Sequence, residues 1–405
     1  MLNRLPYLNI WKDLSAQKPM VFLAGPRQSG KTTFSRLIAS TFTNSVYFNW
    51  DLITHKKLLT GNPTFFEQVN RKDPSTPLVI FDEIHKYRKW KNYLKGVYDQ
   101  FSDQCRFLVL GSGRLNIFQK GGDSLAGRYF LFTLWPLTLA ELAKCRRPFE
   151  AFKNDPLRAD KEDPSLESLW TDLSNLSGFP EPYLSGKATV YRRWARNYQQ
   201  QLIREDIRNL TAIKELDSIE LLFSLIPSKI GYPLSQASLA RDLQVSFNSI
   251  RHWLAVFETF FLTFSLSPWT KKISRAITKE KKVYLYDYGR IPFPAAKFEN
   301  MVALELLRAI SNWNDLGLGD FELHYVRNKE KEEVDFLVTN DHIPQLLVET
   351  KLSDEQVSKS LLKFQTLLNV PAIQLVNQPG VYKLVTNPHH QILVITASRY
   401  LPTLP

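Results

Sequence analysis

One stretch, Gly25-Pro26-Arg27-Gln28-Ser29-Gly30-Lys31-Thr32, constrains this chain more than any other, because very few local folds accept it. It fits G-x-x-x-x-G-K-[ST] and directly follows the apolar run MVFLA. That context predicts a strand, a phosphate-cradling loop and a helix in succession. Glycines let backbone N–H groups curl around a β-phosphate, Lys31 reaches the β/γ oxygens, and the Thr32 hydroxyl ligates Mg²⁺. The helix opening near Gly30 adds its positive N-terminal end. The expected ATP-contacting set is therefore Gly25, Pro26, Arg27, Gln28, Ser29, Gly30, Lys31, Thr32 and Thr33.

A second element supports the first. Leu78-Val79-Ile80-Phe81-Asp82-Glu83 is an apolar strand ending in two adjacent acids, just before a helical pattern. Hydrolysis of a nucleoside triphosphate needs one carboxylate beside Mg²⁺ and another to orient the attacking water. Asp82 suits the metal and Glu83 the water. A further apolar run, 107–110, ends in Gly111-Ser112-Gly113-Arg114, where Ser112 is placed to sense the γ-phosphate between the other two strands. Arg128 is a candidate for the γ-phosphate as well, from the same chain or from a neighbour. Candidate strands at 20–24, 46–50, 78–81, 106–110 and 129–134 alternate with helix-like stretches. That alternation predicts a parallel sheet covered on both faces.

Composition narrows the class. The chain has 405 residues, 44% hydrophobic and 23% charged, the balance of a globular protein. Cys105 and Cys145 are its two cysteines, too few for a disulfide framework or a cysteine-rich zinc module. No run of 18 apolar residues offers a membrane span, and charges interrupt the apolar positions of the first 17 residues, unlike a signal peptide. A cytoplasmic protein without membrane contact is the expectation. Fifty-two Lys and Arg against 40 Asp and Glu leave a net charge of +12, which favours an anionic partner such as nucleic acid.

Beyond residue 142 the patterns change. A helical connector over 143–232 carries stripes at Trp170, Leu173 and Leu176 and at Trp194, Tyr198 and Leu202, broken by SGFPEPYLSG at 177–186. Segment 233–290 predicts two short helices, the second capped by Ser246 or Asn248, then two extended runs at 260–266 and 282–286. Helix-turn-helix plus hairpin is the outline of a winged helix. Asn248, Ser249, Arg251 and His252 lie on its second helix, and Lys271, Lys272 and Lys279 in its basic wing, an arrangement suited to groove and phosphate contacts on DNA.

The remainder, 291–405, reads helix, strand, strand, strand, helix, strand, with strands at 323–327, 333–338, 345–350 and 372–376. Asp335 lies in one strand, and Glu349-Thr350-Lys351 ends the next. Alternate strand residues share a face, so Glu349 and Lys351 point together. Two carboxylates holding Mg²⁺ and a lysine polarising water make a phosphodiester-hydrolysing site, with Glu299 on the preceding helix as a further acid. This is the D…ExK spacing of restriction-like nucleases. Asp335 and Glu349 are the expected metal ligands.

Taken in order, GPRQSGKTT, FDEIHKYRKWKNYLKGVYD, LGSG, SLAGRYFLFTLWPLTLAEL, SGFPEP, YLYDYG, FENMVALELL and EVDFLV with VETK resemble the bacterial and archaeal family of AAA+ superfamily ATP-binding proteins with a C-terminal domain of unknown function. The likeness covers nearly the whole chain. It implies an α/β multidomain protein: an AAA+-like P-loop ATPase over 1–142, the helical connector, the winged helix, and a restriction-endonuclease-like domain over 291–405. It carries Glu299, Asp335, Glu349 and Lys351 over as the nuclease set, while the motifs and the charge make ATP and Mg²⁺ the expected cofactors and DNA the expected partner. Self-association into a homo-oligomer is left open. The family usually has two adjacent serines or threonines where this chain has Ser112-Gly113. Two functions compete: an ATPase that acts on DNA with a metal-dependent nuclease domain, and a regulatory ATPase switch that binds protein partners through an inactive nuclease-like domain.

Overall fold

A computed structural model of the chain describes residues 4–68, 71–111, 125–144, 147–208, 215–270, 280–353, 356–386 and 391–405. The chain forms two compact units, one of residues 1–135 with 259–261, the other of 136–258 with 262–405.

The first unit is built on a five-stranded sheet. Strands β1 (Met20–Ala24), β2 (Ser45–Asn49), β3 (Leu78–Asp82), β4 (Arg106–Leu110) and β5 (Tyr129–Thr133) lie in the order β2-β3-β4-β1-β5, all parallel. The expected doubly covered sheet is present, and β1 and β3 are buried along their whole length. Such strands must be apolar throughout because both faces are packed. Helices α1 (Leu5–Gln17), α2 (Lys31–Ala39), α3 (Ile53–Gly61) and α4 (Trp90–Phe101) complete the unit. Phe22, Phe66, Phe81 and Phe107 anchor its core with Trp90 and Leu94 of α4.

The second unit opens with the helical connector. The helices Pro164–Leu176 and Ala188–Gln200 bury the two predicted tryptophan stripes. SGFPEP interrupts them because the backbone of Gly178 passes against residue 137: Leu137 N–H donates to Gly178 O at 2.6 Å, and a side chain at 178 would meet the Leu137 carbonyl. The helices Gln236–Asp242 and Phe247–Thr259 follow, with Ser246 Oγ accepting Ser249 N–H at 3.0 Å as the cap. Strands β6 (Thr263–Leu266) and β7 (Lys282–Leu285) pair antiparallel. Lys271, Lys272 and Lys279 lie outside the described residues.

The long helix Pro294–Asp315 leads into a second sheet of β8 (Phe321–Arg327), β9 (Glu333–Asn340), β10 (Ile343–Lys351), β11 (Ala372–Val376), β12 (Tyr382–Thr386) and β13 (Gln391–Thr396). Its order is β12-β13-β11-β10-β9-β8, antiparallel from β8 to β10 and parallel through β10, β11 and β13. The crossover from β10 to β11 carries the helix Lys359–Leu368. The helix–three strands–helix–strand order read from the sequence is observed, and two strands extend it. Of these, β13 is a buried apolar run and β12 a largely exposed edge strand paired to it. No described helix is long and apolar enough to cross a membrane.

Candidate functional site

The phosphate loop runs from the carboxyl end of β1 to the N-terminus of α2, the position at which open parallel sheets bind ligands. Its backbone follows from its residues. Gly25 sits at φ 144° and Gly30 at φ 95°, and a Cβ at 25 would strike the Leu134 carbonyl. Gln28 takes the left-handed region at φ 61°. The Lys31 ammonium lies over the loop, donating to the carbonyls of Gly25 at 3.0 Å and Pro26 at 2.7 Å. Ser29 Oγ is buried and has no hydrogen-bond partner. Arg4 braces the loop from outside: its guanidinium donates to Ser29 O at 2.8 Å and Trp135 O at 2.7 Å.

Asp82 ends β3 beside this loop. Thr32 Oγ1 donates to Asp82 Oδ2 at 3.0 Å, and the Tyr47 hydroxyl donates to the same oxygen at 2.6 Å. Burial pushes the Asp82 carboxyl above its ordinary range, and the two hydrogen bonds oppose that rise. A hydroxyl and a carboxylate oxygen this close are the donor chemistry Mg²⁺ takes alongside substrate phosphates. The residues present fit Mg²⁺–ATP: Lys31 and the loop amides for the phosphates, Thr32 and Asp82 for the metal.

Glu83 adopts the left-handed region at φ 56°, directly after β3 ends. Its carboxylate is held by Lys86, with Oε2 3.1 Å from Nζ, and lies 3.5 Å from His85 Nε2. Lys86 in turn pairs with Asp51 at 2.6 Å. β4 lies between β3 and β1. Ser112 lies outside the described residues.

Arg128 is placed otherwise than a same-chain γ-phosphate contact requires. It precedes β5, whose Tyr129 pairs with Met20 at the start of β1. The phosphate loop leaves the other end of β1, roughly 15–20 Å away along the strand. The Arg128 guanidinium is engaged with Asp99 of α4 through Nε at 2.7 Å and Nη2 at 3.2 Å.

In the second unit the structure gathers Glu299, Asp335, Glu349 and Lys351 around a residue the sequence reading missed. Lys282 of β7, with no exposed side-chain surface, points its ammonium at Glu333 Oε1 (2.6 Å), Glu299 Oε1 (3.0 Å) and Asp335 Oδ1 (3.6 Å). The Tyr284 hydroxyl also donates to Glu299 Oε1 at 2.7 Å. Asp335 Oδ2 accepts Thr350 N–H at 2.9 Å and Thr350 Oγ1 at 2.6 Å. Lys351 pairs with Glu349 Oε1 at 2.7 Å, while Glu349 Oε2 is buried with no hydrogen-bond partner.

Desolvation, reinforced by Asp335, raises both Glu299 and Glu349 to about 7. Among the described residues no three His, Cys, Asp or Glu side chains are arranged to hold a metal ion. Where the sequence reading put a divalent cation, the structure puts the Lys282 ammonium. An oxygen donor set already satisfied by an internal cation does not fit Mg²⁺. The signal was present as alternation: Lys282 and Tyr284 share one strand face, as do Glu333 and Asp335.

Residues 17–143 match a family model described as an AAA domain, and residues 168–292 match one described as a domain of unknown function. The uncharacterized protein Rv2008c of Mycobacterium tuberculosis is 23% identical over 380 residues, covering 90% of this chain and 77% of its own length. Among solved structures, the Walker-type ATPase PABY2304 of Pyrococcus abyssi is 14% identical with a TM-score of 0.45, covering 71% of this chain and 94% of its own. The clamp loader delta protein of Bacillus subtilis is 14% identical with a TM-score of 0.28, covering 62% and 88%. The parallel sheet, the phosphate loop and the AAA-domain match define the first unit as a P-loop domain of the AAA type.

Proposed function

We propose that this chain is a Mg²⁺-dependent ATPase whose C-terminal unit engages DNA. The observation that carries the ATPase reading is the Thr32–Asp82 hydrogen bond beside the phosphate loop, which brings together the two groups that a metal would use. ATP binds through Gly25 to Thr33, with Lys31 on the β/γ-phosphates and Thr32 and Asp82 on the metal. Glu83, released from Lys86, orients the attacking water. Replacing Lys31 with alanine is expected to abolish ATP binding or turnover in a folded protein. Unchanged nucleotide affinity and turnover in that variant would remove the reading.

DNA contact is supported by a groove of about 900 Å³ in the second unit, lined by Phe247, Arg251, Trp269 and Lys281, with Glu258, Glu280 and Glu322 also in its walls. Phe247 is half exposed at the start of its helix, and aromatic and cationic side chains together suit stacked bases and phosphates. The winged-helix reading rests on the helix pair and the β6–β7 hairpin. The restriction-endonuclease-like reading rests on the helix–three strands–helix–strand order with Asp335 and Glu349 on adjacent strands. Binding is expected to weaken with salt by about 0.9 counterions per phosphate contact on duplex DNA. Arg251→Ala with Lys281→Ala is expected to flatten that slope. Salt-independent binding would make the basic excess a solubility feature.

A further inference from the structure

Lys86 opens a stretch of the first unit that carries Lys86, Arg88, Lys89, Lys91 and Lys95 and no Asp or Glu. The stretch leaves β3 through the short helix Ile84–Lys86 and runs into α4, so it begins at the carboxyl end of the sheet. Arg88 and Lys89 are exposed and have no ion-pair partner among the described residues. Two half-buried rings lie beside these cations: Trp50, which follows β2, and Tyr87, with centroids 4.8 Å apart at 31°. Lys56 of α3 holds its ammonium 5.7 Å from the centre of the Trp50 ring. Trp50 N–H donates to Asp82 O at 3.0 Å, which ties the ring pair to the strand that ends at the metal-facing carboxylate. The acids at this border are Asp51 and Glu83, and Lys86 pairs with both. A basic face kept only for solubility needs neither stacked rings nor a link to the water-orienting acid.

We propose that this face of the first unit binds single-stranded nucleic acid, with phosphates on Lys86, Arg88 and Lys89 and a base against the Trp50–Tyr87 pair. The cations supply affinity for any phosphate backbone. The rings select a single strand, because its bases offer free faces for stacking whereas a duplex keeps them covered. This contact lies on different residues and a different unit from the groove at Phe247 and Arg251. Its effect on turnover rests on the ATPase reading. The Lys86 side chain is 39% exposed, so a backbone phosphate reaches its ammonium from solvent and competes with Glu83 for it. Ion pairs open to water are weakly held and yield to such a competitor. Glu83 is then free to orient water, and a bound strand raises ATP turnover.

The test uses the full chain and a fluorescent single-stranded oligothymidylate, read by anisotropy for binding and by phosphate release for turnover. Wild type is compared with Arg88→Glu plus Lys89→Glu, and with Arg251→Ala plus Lys281→Ala, which alters the groove of the second unit. Arg88→Gln plus Lys89→Gln serves should the charge reversal disturb folding. The reversal is expected to weaken oligothymidylate binding at least about tenfold in low salt. It is also expected to abolish stimulation by the strand while basal turnover stays at the wild-type level. In wild type and in the groove variant the strand is expected to raise turnover about tenfold or more. Binding that depends on Arg88 and Lys89 in a chain without ATP turnover supports the surface and sinks the ATPase reading alone. Unchanged binding in both the reversed and the Gln variants overturns the proposal, as does an active ATPase that the bound strand fails to stimulate. Equal stimulation by heparin, which carries charge but no bases, overturns it too.

Discussion

The Tyr47 hydroxyl and the Thr32 hydroxyl converge on one oxygen, Asp82 Oδ2, from β2 and α2 respectively, at 2.6 and 3.0 Å. Thr32 is expected to leave that oxygen for Mg²⁺, whereas Tyr47 stays and holds the carboxylate charged against the rise that burial imposes. Removing the hydroxyl in Tyr47→Phe withdraws a hydrogen bond worth about 1 kcal/mol, close to one pH unit of proton affinity. The acid limb of the ATPase pH profile is therefore expected to move upward by about that much, with turnover near wild type on the alkaline side. An unmoved acid limb would show that Tyr47 only packs against β3.

Glu83 and Lys86 form a pair that nucleotide has to undo. Glu83→Gln is expected to bind ATP with near wild-type affinity while turnover falls by about 10²–10⁴, the range lost when a group that positions a proton transfer is removed. Lys86→Ala removes the ammonium paired with Glu83 and is expected to raise basal turnover without improving ATP affinity. Single-turnover measurements distinguish these outcomes, and wild-type chemistry in Glu83→Gln would move the water-orienting role elsewhere.

Much of this site was legible in the sequence because its geometry is local. The loop residues 25–33 are contiguous, and Asp82 with Glu83 terminates a strand whose apolar run announces it, so spelling and spacing alone located them. Tyr47 was not legible, since its role depends on β2 lying next to β3, an adjacency set by sheet order. Lys282 escaped for a related reason. On a charge count it belongs to a basic hairpin, and only the folded unit brings β7 against β9 and the helix bearing Glu299. Most strands of the first unit were found from their apolar runs, but β13, also a buried apolar run, was passed over. The exposed edge strand β12 was missed because its residues carry no such run.

Arg128 tests self-association. Its distance from the phosphate loop along β1 leaves a neighbouring copy as the source of any contact it makes with nucleotide, with the Asp99 pair broken on assembly. Mixing Arg128→Ala with Lys31→Ala subunits, each inactive alone, is expected to restore part of the ATPase activity, since mixed interfaces pair an intact loop with an intact arginine. No recovery in a mixture shown to co-assemble would confine Arg128 to its exposed ion pair with Asp99.

Glu305 makes a prediction about stability. It is buried on the helix Pro294–Asp315, and its Oε1 accepts the N–H of Leu139 at 2.5 Å. Burial raises its carboxyl to about 7, outweighing the nearby Arg308 and the backbone donors that lower it. The folded chain therefore holds this proton more tightly than the unfolded one. Its contribution is full below the ordinary value of 4.5 and is lost as pH rises to about 7, by about 3 kcal/mol in total. Glu305→Gln keeps an acceptor for Leu139 but never ionises. Relative to wild type it is expected to gain stability steadily from pH 5 to pH 8, measured as the urea midpoint at constant slope. A difference between the two chains that does not change with pH would mean that Glu305 is already ionised in the folded protein at pH 5, with Arg308 as its effective partner.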